Sequence, residues 1–483
     1  MFLIKKISCC VLRFNNITCL NFWKSRRYIL ALLASFGFLN VYALRSNLSV
    51  AIVDMTQLRQ VKLDNGTVFM KSDFNWDSKL QGYVLSSFFY GYVLTQIIGG
   101  YVASRIGGAK VFGIGIAVTS LLTIITPIAA KFNVYLFIVV RALEGFFEGT
   151  TYPACNAFYA KWAPPLERTR LIAIAWSGGY LGAVVSMPFS SLLATYLGWE
   201  SIFYFFGGVG LIWYIFWIIF ARDAPEKDSR ISKEELLYIR ESINATRQIK
   251  EVVDIPIRHY VTSLAVWANA LAFFSEFWGF YTLLTCLPNF MKNILKFDLN
   301  SSGMVSGAPY LAMAIMIQFA GQLGDWILTR NILSRTNTRK VFTIIGFSAQ
   351  AIFLLIGSFW MSHIGTSICL ILAVGIGAFA MAGFGVSVLD LAPRYGGTTM
   401  GYCNTFGAAT GVISPIVTGY IVTDTTSVHQ WRIIFYIAAS IYVAGAIFYG
   451  LFGSSDLQAW GREDEKPIEL NNTKHKQNRV EPD

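Results

Sequence analysis

Four charged residues lie where the surrounding sequence offers little else that is polar. Arg45 falls within VYALRSNLSVAIV, and Arg141, Glu144 and Glu148 fall within VVRALEGFFEGTTYPA. On a helix, steps of three and seven residues turn through about 300° and 700°, so the last three side chains share one face within about 60° of arc. A guanidinium binds a carboxylate or phosphate through a two-pronged hydrogen bond. It stays charged, so it selects anions without carrying a proton. A glutamate can carry one, and burial and a neighbouring guanidinium act on it in opposite senses. This chemistry assigns substrate anchoring to Arg45, proton coupling to Glu144 and Glu148, and the holding of both carboxylates to Arg141. A structural Arg141–Glu144 ion pair that only fixes helix packing is the competing reading.

Other polar residues carry less information. Glu276, in FFSEFWGFY, either faces the pathway or sits near the interface and reaches water. Asp325, Asp390 and Arg394 fall near helix ends and read as gating contacts between two halves or as ordinary interface charges. Tyr42, Tyr92, Tyr152 and Tyr281 either line a polar cavity or belong to packing and the interfacial belt. The seven Cys contain no CxxC pair, and His259, His363, His429 and His475 are scattered. No disulfide framework, metal cluster or nucleophile–base constellation follows, so neither an enzyme nor a cofactor is expected.

The elements that position these groups follow from composition. Of 483 residues, 54% are hydrophobic and 14% charged. A soluble chain has about 45–50% apolar and about 25% charged residues, so a soluble globule, a disordered chain and a coiled coil are excluded. Apolar runs near the length of a bilayer span predict an all-α membrane protein of twelve helices. The first six run roughly 28–53, 81–103, 109–129, 134–161, 169–197 and 201–221. The second six run roughly 259–292, 301–329, 341–361, 365–391, 399–423 and 430–452. A cytosolic tail (1–27), a charged linker (222–258) and a polar tail from Ser454, expected to be disordered, complete the chain. Lys and Arg concentrate in the tails and the linker, which places both termini in the cytosol. That asymmetry accounts for the net charge of +11 without a nucleic-acid partner.

The chain also repeats itself at a spacing near 230 residues. Ala163-Pro164 recurs as Ala392-Pro393, and Lys110-Val111-Phe112 as Lys340-Val341-Phe342. Trp199 with Ile202-Phe203-Tyr204 recurs as Trp431 with Ile434-Phe435-Tyr436, and Gly100-x3-Ser104 as Gly321-x3-Asp325. Matches in one order predict two six-helix halves around a midplane site, a transporter arrangement.

GYVLSSFFYGYVLTQIIGGYVASRIGG, RALEGFFEGTTYPA, KWAPPLERTR and LDLAPRYGG resemble the anion–cation symporter family of the major facilitator superfamily, which includes sialin, the vesicular glutamate transporters and the sodium–phosphate cotransporters. The resemblance covers nearly all of 28–460 and is strongest to sialin-like members. It implies a rocker-switch carrier whose helix-one Arg, matching Arg45, binds the substrate's acid group. It ties Glu144 and Glu148, with Arg141, to proton-coupled export of acidic sugars and amino acids. It also suggests Tyr92, Tyr152, Tyr281 and Asn404 as lining residues. Departures bear on substrate. Glu276 stands where vesicular glutamate transporters carry an Arg and sialin-like members a Tyr, and Leu85 stands where the former carry a His, so vesicular glutamate loading is disfavoured. Ile98 replaces a Pro, and Ser104 replaces the superfamily's Asp, which Asp325 retains in the second half.

The expectation is therefore a proton-coupled secondary transporter of organic anions. Sodium-driven phosphate uptake is the alternative, and an anion channel or a non-transporting sensor stands behind both. The expected partners are a small organic anion or phosphate and the lipid bilayer, and the chain is expected to act as a monomer. Asn65, in Asn65-Gly66-Thr67, is the usable glycosylation sequon. Asn300 sits against a helix, Asn47 lies within one and Asn244 is cytosolic. Cys9 and Cys10 could be acylated. The membrane is lysosomal or plasma. Glu234-Glu235-Leu236-Leu237 lacks the upstream acid of a sorting signal.

Overall fold

Helix is the only local answer for most of this chain in lipid, because every backbone donor and acceptor must be satisfied within the segment. The computed structural model describes residues 25–62, 68–164, 167–247, 257–392, 396–458 and 460. The expected N-terminal tail up to residue 24, Cys9, Cys10, Asn65 and Arg394 lie outside them.

The first half contains α1 (Arg26–Met55), α2 (Ser78–Ile106), α3 (Gly108–Phe132), α4 (Val134–Glu148), α5 (Thr151–Trp162), α6 (Arg168–Leu197) and α7 (Trp199–Phe220). The linker carries α8 (Lys233–Arg247) and the short α9 (Ile257–Thr262). The second half contains α10 (Leu264–Asn293), α11 (Leu299–Thr329), α12 (Arg335–Trp360), α13 (His363–Leu391), α14 (Gly396–Ile421) and α15 (Val428–Phe452). Nine of the described helices are each long and apolar enough to cross a bilayer. With α2, α14 and the α4–α5 rod, the bundle has the twelve spans expected.

Helix four was expected as one piece, and it is broken after Glu148. Pro153 has no N–H to offer Gly149, and its ring crowds that carbonyl. The backbone at Gly149 and Thr150 stays right-handed, so α4 and α5 run on as one rod. Ends are set by local chemistry. The Asp77 carboxylate accepts from the Leu80 N–H at the start of α2, and Asp298 accepts from the Ser301 N–H at the start of α11. Hydrogen bonding holds the Asp298 carboxyl below its ordinary range, with the Ser301 hydroxyl the largest cause and its N–H the next. Gly107, at φ 119°, makes the sharp turn from α2 to α3 that a side chain would strain.

Two features were not foreseen. Strands β1 (Arg59–Lys62) and β2 (Val68–Lys71) form an antiparallel hairpin between α1 and α2, pairing Arg59 with Lys71 and Lys62 with Val68. The tail also begins in order: the Gln458 N–H donates to the Leu391 carbonyl, and Asp456 accepts from the Thr336 hydroxyl at 3.0 Å. The first half does the same thing, where Asp223 accepts from the Ala109 N–H at 2.9 Å. In each half, an aspartate just beyond the last helix thus holds the start of the third.

The halves meet through α1 with α10, α2 with α14 and α6 with α11. On the hairpin face the seam is tight. The Tyr83 and Tyr420 hydroxyls are 2.8 Å apart, Ser78 donates to the Thr423 carbonyl, and Gly303 packs on Ser191. Nearer the linker face, the Asn404 amide of α14 donates to Gln96 Oε1 of α2 at 3.5 Å.

Candidate functional site

Three helices build the site. Arg45 comes from α1, Arg141, Glu144 and Glu148 from α4, and Phe88 and Tyr92 from α2. The helices α2 and α4 approach closely because Gly145 has no side chain: a Cβ there would overlap the Phe88 carbonyl. Gly91 does the same from the other side, against Ala142 and Phe146.

The charges form two adjacent pairs. Arg45 donates through Nε (3.0 Å) and Nη2 (2.7 Å) to Glu148 Oε1. Arg141 donates through Nη1 to Glu144 Oε2, and Thr126 of α3 donates to Glu144 Oε1 at 2.6 Å. The Arg45 guanidinium sits 4.5 Å from the Tyr92 ring centre, 4.8 Å from Tyr42 and 5.2 Å from Phe88. Arg141 lies 5.6 Å from the same Phe88 ring, which therefore separates the two pairs. Such cation–ring contacts contribute about 2 kcal/mol when water is excluded, and the Arg45 and Glu148 side chains are 1% and 0% exposed. Pairing leaves some groups free. Arg45 Nη1, Glu148 Oε2 and Arg141 Nε have no hydrogen-bond partner.

This corrects one expectation. Arg141 does not hold both carboxylates. Glu148 lies seven residues, about 10 Å of helix axis, beyond Arg141, and α1 brings Arg45 to it instead. The tyrosines surround this centre. Tyr92 and Tyr42 stack on Arg45, the Tyr152 hydroxyl lies 3.4 Å from that of Tyr42, and the Tyr281 ring of α10 packs 4.6 Å from Phe89. Asn404 touches Gln96, one helical turn beyond Tyr92, at the α2–α14 seam. Asp390 pairs with Arg339 (3.4 Å) and Arg335 (3.9 Å) inside its own half, and Asp325 is exposed on α11 with no ion pair among the described residues. Neither makes an ion pair across the halves among the described residues. Glu276 is 3% exposed inside the second half, where Gln350 Nε2 donates to it at 3.4 Å.

Thr126 and Gln350 escaped the sequence reading. Their signal was faint: polar residues in the middle of apolar spans, with Thr119, Thr123 and Thr126 at helical spacing on α3. A further charged cluster ties the linker to the first half. Arg26 pairs with Asp228 at 2.7 Å, and Arg27 with Glu167 at 2.8 Å and Glu235 of α8 at 2.9 Å. Tyr238 of α8 also donates to Glu167, and burial, then that carboxylate, pushes its hydroxyl up to about 12.

The sequence profile of the Major Facilitator Superfamily matches residues 30–337 and 270–479, well over half of the chain. The chain belongs to that superfamily. Within it, the chain is 42% identical to sialin from Homo sapiens over 457 residues, covering 91% of this chain and 92% of sialin. It is 38% identical to vesicular glutamate transporter 1 from Bos taurus, covering 93% and 80%, and 40% identical to vesicular glutamate transporter 2 from Homo sapiens, covering 92% and 77%. These matches place it in the anion–cation symporter family. A bacterial homolog to the human lysosomal transporter Spinster, inward-facing and occupied, superposes with a TM-score of 0.66 at 16% identity, covering 88% of this chain and 96% of that one. The inward open xylose transporter XylE from E. coli does so at 0.66 and 14%, again covering 88% and 96%. As a major facilitator, the chain is a multi-pass membrane transporter of small molecules and not an enzyme.

Proposed function

We propose that this transporter moves small organic anions, acidic sugars or acidic amino acids, together with protons by alternating access. The observation that carries the reading is the Arg45–Glu148 pair with one unused atom on each side. Arg45 Nη1 is free to take one oxygen of a substrate carboxylate, and Glu148 Oε2 is free to take a proton. A protonated Glu148 releases Arg45 from its strong partner, and the guanidinium then offers its full fork to the substrate. Proton and anion thus favour the same loaded form, which is what symport requires. The rings of Tyr42, Phe88 and Tyr92 close over the pair and must move to admit substrate. Two of the relatives are named for glutamate, an acidic amino acid, which supports an acidic substrate class. The Glu276 and Leu85 departures disfavour glutamate loading of the vesicular kind.

The test uses purified protein in liposomes with radiolabelled glucuronate, N-acetylneuraminate, aspartate, glutamate and phosphate. At least one organic anion is expected to accumulate when a pH gradient is imposed, by about tenfold per pH unit for each coupled proton. Uptake of the organic anions that ignores the pH gradient sinks the proton claim. Phosphate uptake that stops when choline replaces sodium would instead establish the sodium-driven alternative. Arg45→Lys is expected to weaken uptake at least tenfold, because an ammonium lacks the planar fork. Wild-type transport in that variant removes Arg45 from the site.

A further inference from the structure

Glu276 takes no part in the site just described. A cavity of about 30 Å³ lies inside the second half beside Gln350, the residue bonded to Glu276. Its lining is mostly apolar: Leu283, Leu287, Phe290, Leu354 and Phe435 stand around Thr282, Gln350 and Tyr442, so it offers the carboxyl little polar surrounding.

The Glu276 carboxyl is unusually alone. It takes part in no ion pair among the described residues, and its Oε2 and Gln350 Oε1 lack hydrogen-bond partners. Among the described residues the titratable groups that act on it are phenols: Tyr442 from α15, with Tyr310 of α11 beside it, and Tyr180 from α6. From α12 it faces only the Gln350 amide. A bare carboxylate in such surroundings is costly, and neither a cation nor a set of donors offsets it here.

We propose that Glu276 is a second proton-binding site, separate from the Glu148 site. A proton from water binds Glu276 Oε2, the carboxylate goes from −1 to neutral, and the proton returns to water on release. Any role of Glu276 in driving transport rests on the proton-coupled reading above, but proton binding itself does not.

The experiment is infrared difference spectroscopy of the full chain in liposomes during a pH step, with protons as the only probe. A titrating carboxylic-acid band is expected in wild type and in the Glu144→Gln, Glu148→Gln double variant. Glu276→Gln is expected to remove that band from the double variant. Gln350→Leu leaves the carboxyl in place and is expected to shift its band by deleting its donor. A double variant with no titrating carboxyl band, or spectra unchanged by Glu276→Gln or Gln350→Leu, overturns the site. If wild-type uptake ignores the pH gradient while the Glu276 band is present, the transport reading falls and this site stands.

Discussion

Replacing Glu148 by Gln keeps its shape and an acceptor for Arg45 while removing the charge and the proton. Alanine would be the wrong test, because stranding a buried Arg45 costs about 3–5 kcal/mol and confuses folding with function. Glu148→Gln is expected to abolish accumulation driven by a pH gradient while exchange of labelled for unlabelled anion across the membrane continues. Glu144→Gln, whose partners are Arg141 and Thr126, is expected to retain at least part of the driven uptake. Equal, complete loss in both would mean that the pairs act as one unit. At this scale the sequence was informative about types and poor about partners. The helical period put Arg141, Glu144 and Glu148 on one face, as the structure shows. It could not say that Arg45, on a different helix, would take Glu148, because pairing across helices depends on packing. The same ignorance hid Thr126, an ordinary threonine until α3 is laid against α4.

A helix in the linker shows what sequence composition conceals. The charged stretch from Arg222 reads as a solvated connection, yet α8 is tied to the first half through Arg27, whose guanidinium serves Glu167 and Glu235 together. Acids and bases far apart along the chain look like ordinary surface charges until folding gathers them. The arrangement makes the linker part of the first half, so it should move with α1 and α6 when the halves rock. Arg27→Ala leaves two mostly buried carboxylates without their cation, a loss on the order of 3 kcal/mol or more. Hydrogen exchange in α8 should then speed up about a hundredfold, while exchange in α12 and α13 stays as in wild type. Protection of α8 unchanged by the substitution would show that the helix is held by something other than these pairs. The break in helix four teaches a related lesson: Pro153 is plain in the sequence, but its effect is a pause between α4 and α5 through backbone that stays right-handed.

For the whole molecule, the twofold repeat was legible because the same structural problem is solved twice. Trp199, Ile202 and Phe203 are buried at the start of α7, as are Trp431, Ile434 and Phe435 at the start of α15. The seam between halves was not legible, since Tyr83 and Tyr420 are related by nothing but contact. Transport by alternating access requires that seam to part, because a face that stays closed can neither admit nor release substrate. Cysteines at Tyr83 and Tyr420, joined by a short reducible bifunctional reagent, should therefore trap the state seen here. The linked protein is expected to move no anion across the membrane, and a reductant should restore uptake. Full uptake with the link intact would mean that α2 and α14 do not separate at this level and that access alternates by another motion.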